Sequence, residues 1–190
     1  MLTKGNQRGD TIVEVSLAFS IFTLLAVGSI TIMSRSMAMA QRSLEQTQVR
    51  QVMEGQADLL RAAQSTSLWS TQIKTAAVTS APDIKTSSSF VSSCPSNAPK
   101  NSFIIAHDSG SNSLSYIKLD INKFQPAPVT SYIDYSQPKA YGIWVQAVPV
   151  PASPAGSPAA YDMYIRSCWD TVDSDVPATL VTIVRLYDKG

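Results

Sequence analysis

The sequence predicts an α+β fold: a long amino-terminal helix packed on a small antiparallel sheet of about five strands. Three observations carry that expectation. No proline occurs before Pro82, and proline is the residue that most strongly breaks a helix interior. From Thr11 to Met33 every residue except Glu14 is apolar, hydroxylic or glycine. From about Phe103 onward, apolar residues recur at alternate positions, the period of a strand with one covered face.

With 190 residues, the chain is long enough for one compact core plus an appendage, since a single domain commonly forms from about 100 to 150 residues. Its formal charge of +1 and the lack of any Lys or Arg run give no basic stripe for nucleic acid. The chain is a greasy tip on a body rich in Ser, Thr and Pro.

The tip TIVEVSLAFSIFTLLAVGSITIM, Thr11 to Met33, is long enough as a helix to cross a hydrocarbon core, which needs roughly 20 residues. Lys4 and Arg8 precede it, with no acidic residue among the first nine positions. The positive-inside rule then keeps the amino end in the cytoplasm and exports the body. Three readings fit the tip. A secretory signal peptide would use Ala38-Met39-Ala40 as its small-x-small site and release a body beginning at Gln41. An uncleaved single-span anchor satisfies the length but leaves Glu14 unexplained, and intramembrane carboxylates usually have a partner.

The third reading supplies that partner. The short basic leader MLTKGNQRG ends in Gly9 and is followed by D-T-I-V-E and then unbroken apolar sequence. This resembles the class III signal of type IV pilins and pseudopilins. The resemblance implies a cut between Gly9 and Asp10 by a membrane-embedded prepilin peptidase, and methylation of the new amino group at Asp10. Glu14 matches the family's glutamate at the fifth position after the cut, which implies pairing with the amino terminus of a neighbouring subunit. Thr11 and Glu14 are thus the implied assembly residues. Two charges meeting in a low-dielectric setting offset each other's burial, whereas either alone is penalised. Asp10 stands where the family usually has Phe or Met, and an acidic residue suits a helix N-terminus. With no proline inside the span, any melting of the helix during assembly is expected near Gly28.

After Met33 the chain continues in good helix formers, and Val49, Val52, Met53, Leu60 and Ala63 recur at three- and four-residue steps. This stripe should lie on the sheet, with Glu45, Arg50, Glu54 and Arg61 outward. From Thr11 to about Ala63 the helix would measure on the order of 80 Å at 1.5 Å per residue. The expected organisation is a leader over 1–9, a helix over 10–66 and a β-rich head over 67–190. Within the helix, 10–33 is the transmembrane and assembly part and 34–66 the amphipathic part.

Residues 64–101 lack either period and read as a meandering connection. Strands are expected around Phe103 and Ile105; Leu114, Tyr116 or Ile117, and Leu119; Tyr141, Ile143 and Val145; Tyr161, Met163 and Ile165; and Leu180 to Leu186. DSGSNS at 108–113 reads as a turn. QAVPVPASPAGSPAA, at 146–160, holds Pro149, Pro151, Pro154 and Pro158 and reads as an exposed loop, not a central strand.

Cys94 and Cys168 fall outside the membrane on every reading, and a pair of cysteines in an exported chain predicts a disulfide. Closing that loop is worth about 4 kcal/mol in the chain-entropy model. His107, Asp108 and Ser109 are adjacent and do not form a hydrolytic relay, whose members converge from separate segments. No phosphate loop, dinucleotide fingerprint or zinc spacing is present, and no catalytic activity or cofactor is expected. Asp170, Asp173 and Asp175 are the best candidates for calcium, although three carboxylates in one turn more often describe a solvated loop. Trp69, Trp144 and Trp169 are expected in the core rather than on an adhesion platform.

The resemblance implies a structural subunit that leaves the cytoplasmic membrane, where it is a single-pass precursor with an exported carboxyl end, to polymerise with itself or other pilins into a surface filament. Its partners would be the membrane, the prepilin peptidase and an assembly machinery driven by a separate cytoplasmic ATPase. A membrane-tethered or secreted extracellular binding domain is the alternative.

Overall fold

A computed structural model of the chain describes residues 10–77, 93–108, 113–150, 159–171 and 176–188. Helix α1 runs from Asp10 to Ala63. The chain divides into two compact units, Met1–Ser43 and Leu44–Gly190, so the division falls inside this helix rather than at its end.

In the second unit, α1 packs on a five-stranded antiparallel sheet. Its strands are β1 (Phe103–Asp108), β2 (Ser113–Lys118), β6 (Ile143–Val150), β7 (Ala160–Trp169) and β8 (Ala178–Tyr187), in the order β2-β1-β6-β7-β8. These are the five strands that the alternation predicts. A second, three-stranded sheet joins β3 (Phe124–Gln125), β5 (Lys139–Tyr141) and β4 (Tyr132–Asp134), with β3 parallel and β4 antiparallel to β5.

The helical stripe is core. Val49, Met53, Leu60 and Ala63 are buried with Phe103, Ile105, Val145, Met163 and Ile165, and Val52 is half-buried against them. Arg50, Glu54 and Arg61 face solvent. Glu45 does not: it is half-buried and accepts a hydrogen bond from the indole Nε1 of Trp169 at 3.3 Å. Trp169 is itself almost fully buried, and a buried indole N–H needs an acceptor.

Gln56, a polar residue inside the apolar stripe, is fully buried. Its Nε2 donates to the carbonyl of Ile105 at 2.8 Å, and its Oε1 accepts from the N–H of Ile105 at 3.0 Å. β1 pairs with β6 only at Phe103↔Val145. Two residues further on, the primary amide of Gln56 takes the place of the missing ladder partner.

The expected strand through Tyr141, Ile143 and Val145 is broken into β5 and β6. Gly142 lies between them at φ +65°, and a Cβ there would fall 2.3 Å from the carbonyl oxygen of Cys168. Only glycine accepts both the left-handed backbone and the close approach. The chain therefore leaves the small sheet and enters the large one at a single residue.

Two further expectations are corrected. β6 continues through Pro149, paired with Tyr161 of β7, although the segment from Gln146 was expected to be a loop. The ladder to β1 has already ended at Val145, so Pro149 removes no donor that β1 needs. Within the expected meander, Trp69–Ile73 forms a single π-helical turn, closed by Lys74 N–H to Trp69 O at 3.0 Å. Trp69 and Ile73 are buried there, and Trp69 meets Tyr161 edge to face at 5.4 Å. Its Nε1 and the ammonium of Lys74 both reach Asp188, at 3.3 and 2.5 Å, which fastens the turn to the end of β8.

Candidate functional site

The feature that most distinguishes the chain is the surface of α1 over its first unit. From Ile12 to Met33 the large apolar side chains are 51 to 74% exposed, and Met37 and Met39 continue the exposure. Burying one such side chain is worth about 1.5 to 3 kcal/mol, so the set holds on the order of tens of kcal/mol that water leaves unused. An exposed apolar surface of this extent marks a membrane or protein interaction site. This helix is long and apolar enough to cross a membrane.

Its hydroxyls are dealt with internally. Ser16 Oγ donates to Ile12 O at 2.8 Å, Ser20 to Ser16 O at 2.8 Å, Thr23 to Ser20 O at 2.9 Å, Ser29 to Leu25 O at 2.7 Å and Thr31 to Val27 O at 2.9 Å. Ser34 and Ser36 repeat the pattern on Ile30 and Ile32. Each hydroxyl folds back three or four residues onto a backbone carbonyl, so its donor demands nothing from hydrocarbon. The sequence signal was available in the four-residue spacing of hydroxylic residues over apolar ones, but apolar composition alone conceals it.

Glu14 is the exception. It lies on the second turn of α1, exposed among Ile12, Val13, Val15 and Leu17, and among the described residues it has no hydrogen-bond or ion-pair partner. Gly28 interrupts nothing: the helix is continuous through it, with open space where a Cβ would stand. Gly9 lies outside the described residues, as do the side chains of Asp10 and Thr11.

Comparison with known protein families, with curated proteins and with solved structures found no match.

The remaining candidates lie in the second unit. Cys94 and Cys168 form a disulfide, with Cα atoms 5.5 Å apart, that ties the segment before β1 to the buried end of β7. Asp170 follows β7 and is exposed, its N–H bonded to Ala127 O at 3.3 Å, while Asp173 and Asp175 lie outside the described residues. No group of three potential metal ligands occurs among the described residues. Trp69, Trp144 and Trp169 are all buried and serve the core. His107 is the next-to-last residue of strand β1 rather than part of the turn after it, and it is exposed.

Sequence reasoning passed over the surroundings of His107. Asp134 accepts from the hydroxyl of Ser136 at 2.6 Å, from its N–H at 2.9 Å and from the N–H of Gln137 at 3.4 Å. The Ser136 hydroxyl above all, then the Ser136 N–H, holds the Asp134 carboxyl below its ordinary value. That turn presents Tyr135, whose hydroxyl accepts from the buried Gln56 Nε2 at 3.0 Å. No motif announces this arrangement, because Gln56 and Tyr135 are separated by 79 positions.

Proposed function

We propose that this chain is a structural subunit of a type IV pilus or pseudopilus. It would be cut between Gly9 and Asp10 by a prepilin peptidase and polymerised through the apolar first unit of α1. The observation that carries the reading is a helix whose apolar side chains are exposed, whose hydroxyls bond to its own backbone, and whose only charge between Thr11 and Met33 is Glu14. Such a surface is equally at ease in lipid and among identical helices, where packing and a few polar contacts decide association. A carboxylate at its edge is costly in either setting without a cation. The amino group released at Asp10 of a neighbouring copy is the partner this reading gives to Glu14. Extrusion would be driven by a separate cytoplasmic ATPase acting through the assembly machinery.

The decisive test is the amino-terminal sequence and intact mass of protein taken from its native membrane or filament. A start at Asp10, with or without an added methyl group, supports the reading. A start at Gln41 means a secreted binding domain released from a signal peptide, and an intact Met1 means a membrane-tethered one. Glu14→Leu should still insert in the membrane but fail to enter filaments; normal assembly of that variant would remove the role assigned to Glu14.

A further inference from the structure

Tyr132 of β4 and Tyr141 of β5 stand directly opposite each other in the small sheet. Their rings are stacked, with centroids 4.4 Å apart and planes 10° from parallel. We propose that this pair is a modification site, at which a peroxidase-type oxidant supplied with hydrogen peroxide joins the two rings into an intramolecular dityrosine. The proposal goes beyond filament assembly and needs only the folded body.

The fold brings the reacting atoms together before any oxidant arrives. Directly opposed residues of an antiparallel pair hold their Cβ atoms about 4.5 to 5.5 Å apart, so the backbone itself keeps the two rings face to face. All seven tyrosines lie among the described residues, and no other two of them have rings in contact. Tyr132 is 43% exposed and Tyr141 is half-buried, so an oxidant at the surface reaches the Tyr132 ring first. The Lys139 ammonium lies 5.5 Å from the centroid of the Tyr141 ring. A cation held at a ring face makes an electron harder to remove from that ring, which again assigns the first oxidation to Tyr132. β4 is an edge strand joined to β5 by three register pairs, which leaves the Tyr132 ring room to tilt as the bond forms.

Each phenol loses one electron to the oxidant and one proton from its hydroxyl to water. The two phenoxyl radicals then form a carbon–carbon bond between positions next to the hydroxyl-bearing carbons. The hydrogens displaced at those positions move to the oxygens as both rings regain aromaticity. Two hydrogen atoms leave the pair in all, and one hydrogen peroxide becomes two molecules of water. The product ties the edge strand β4 covalently to β5. Under the proposed function the body is exported, and the Cys94–Cys168 disulfide suits the same oxidising surroundings.

The test is oxidation of the dilute full chain in detergent by a haem peroxidase with hydrogen peroxide, followed by trypsin digestion and mass spectrometry. Trypsin cuts after Lys123, Lys139 and Arg166, which places Tyr132 and Tyr141 on the neighbouring peptides 124–139 and 140–166. The expected product is these two peptides joined, two hydrogen masses below their sum, in protein that still migrates as one chain on a denaturing gel. The blue fluorescence of dityrosine should accompany it. Tyr132→Phe and Tyr141→Phe, which remove only a hydroxyl, should each lose the joined peptide, and Tyr135→Phe should keep it. Unfolding the chain in urea before oxidation should lower the yield. No joined peptide, a bond that survives in either of the first two variants, tyrosine bonds formed only between copies, or an equal yield from the unfolded chain would overturn the proposal. None of these outcomes bears on the filament reading.

Discussion

Gln56→Leu removes one side chain and orphans two backbone groups. The Ile105 N–H and C=O, both buried beside Gln56, have no β6 partner at that point of the ladder. An unsatisfied buried polar group costs about 1 to 3 kcal/mol. The Tyr135 hydroxyl, at a half-exposed residue, can turn to water and adds little. Leucine occupies a similar volume and recovers part of the loss by apolar burial, leaving a destabilisation of about 2 to 4 kcal/mol. For a chain of this length each kcal/mol moves the midpoint by about 2 to 4 °C. The full chain in detergent should therefore unfold roughly 5 to 15 °C lower when followed by tryptophan fluorescence. Gln51→Leu, the same exchange at an exposed position of the same helix, should stay within about 0.5 kcal/mol. Hydrogen exchange at the Ile105 amide should accelerate only in the Gln56 variant. An unmoved midpoint together with an unchanged Ile105 amide would refute the view that Gln56 stands in for a strand.

Gly142→Ala should prevent accumulation of the folded body: the left-handed backbone costs an L-residue about 1 to 2 kcal/mol, and the added Cβ meets the Cys168 carbonyl at 2.3 Å. Soluble yield and circular dichroism report it, and a fully folded variant would mean that the corner can shift. Reducing Cys94–Cys168, or Cys94→Ser, should lower stability by about 4 kcal/mol, read as a midpoint difference with and without reductant. Because Asp134 is held below its ordinary value by the Ser136 hydroxyl first and the Ser136 N–H second, its contribution is complete at neutral pH and is lost as pH falls through that lowered value. Asp134→Asn should flatten this acid limb in thermal unfolding across pH, and an identical limb in the variant would assign it to other carboxylates.

The strands of the large sheet and the core stripe of α1 were legible because each is a periodic pattern written in adjacent residues. What was not legible depends on distant residues meeting. Nothing near Glu45 in sequence foretells that the Trp169 indole will claim it, and nothing near Gln56 foretells that Ile105 will lack a ladder partner. Pro149 was misjudged for the same reason: a proline argues against a central strand only where the neighbouring strand continues alongside, and β1 does not. The small sheet escaped because its strands are two or three residues long, too short to show any period. Gly142 carried the break between β5 and β6 in plain sight, but the alternation of Tyr141, Ile143 and Val145 across it was the stronger signal.

The first unit of α1 was legible in outline, and the structure adds the rule that organises it. A helix meant only to cross a membrane gains nothing from the identity of its polar positions once they are satisfied. Here Ser16, Ser20, Thr23, Ser29 and Thr31 all spend their donors on carbonyls of their own helix. The apolar surface is therefore uniform in what it offers, and any neighbour that excludes water will satisfy it equally. Uniform surfaces slide, and they define neither a register nor a partner. The one group that breaks the uniformity is Glu14, an exposed charge among apolar side chains that has no hydrogen-bond or ion-pair partner among the described residues. Insertion alone would favour replacing it with leucine. On the proposed assembly, its presence makes sense because a second molecule would supply a cation at one position along the helix and at no other. A gain in membrane insertion with a loss of ordered assembly in Glu14→Leu, against near-neutral behaviour of Ser20→Ala in both assays, is the pattern that this division of labour requires.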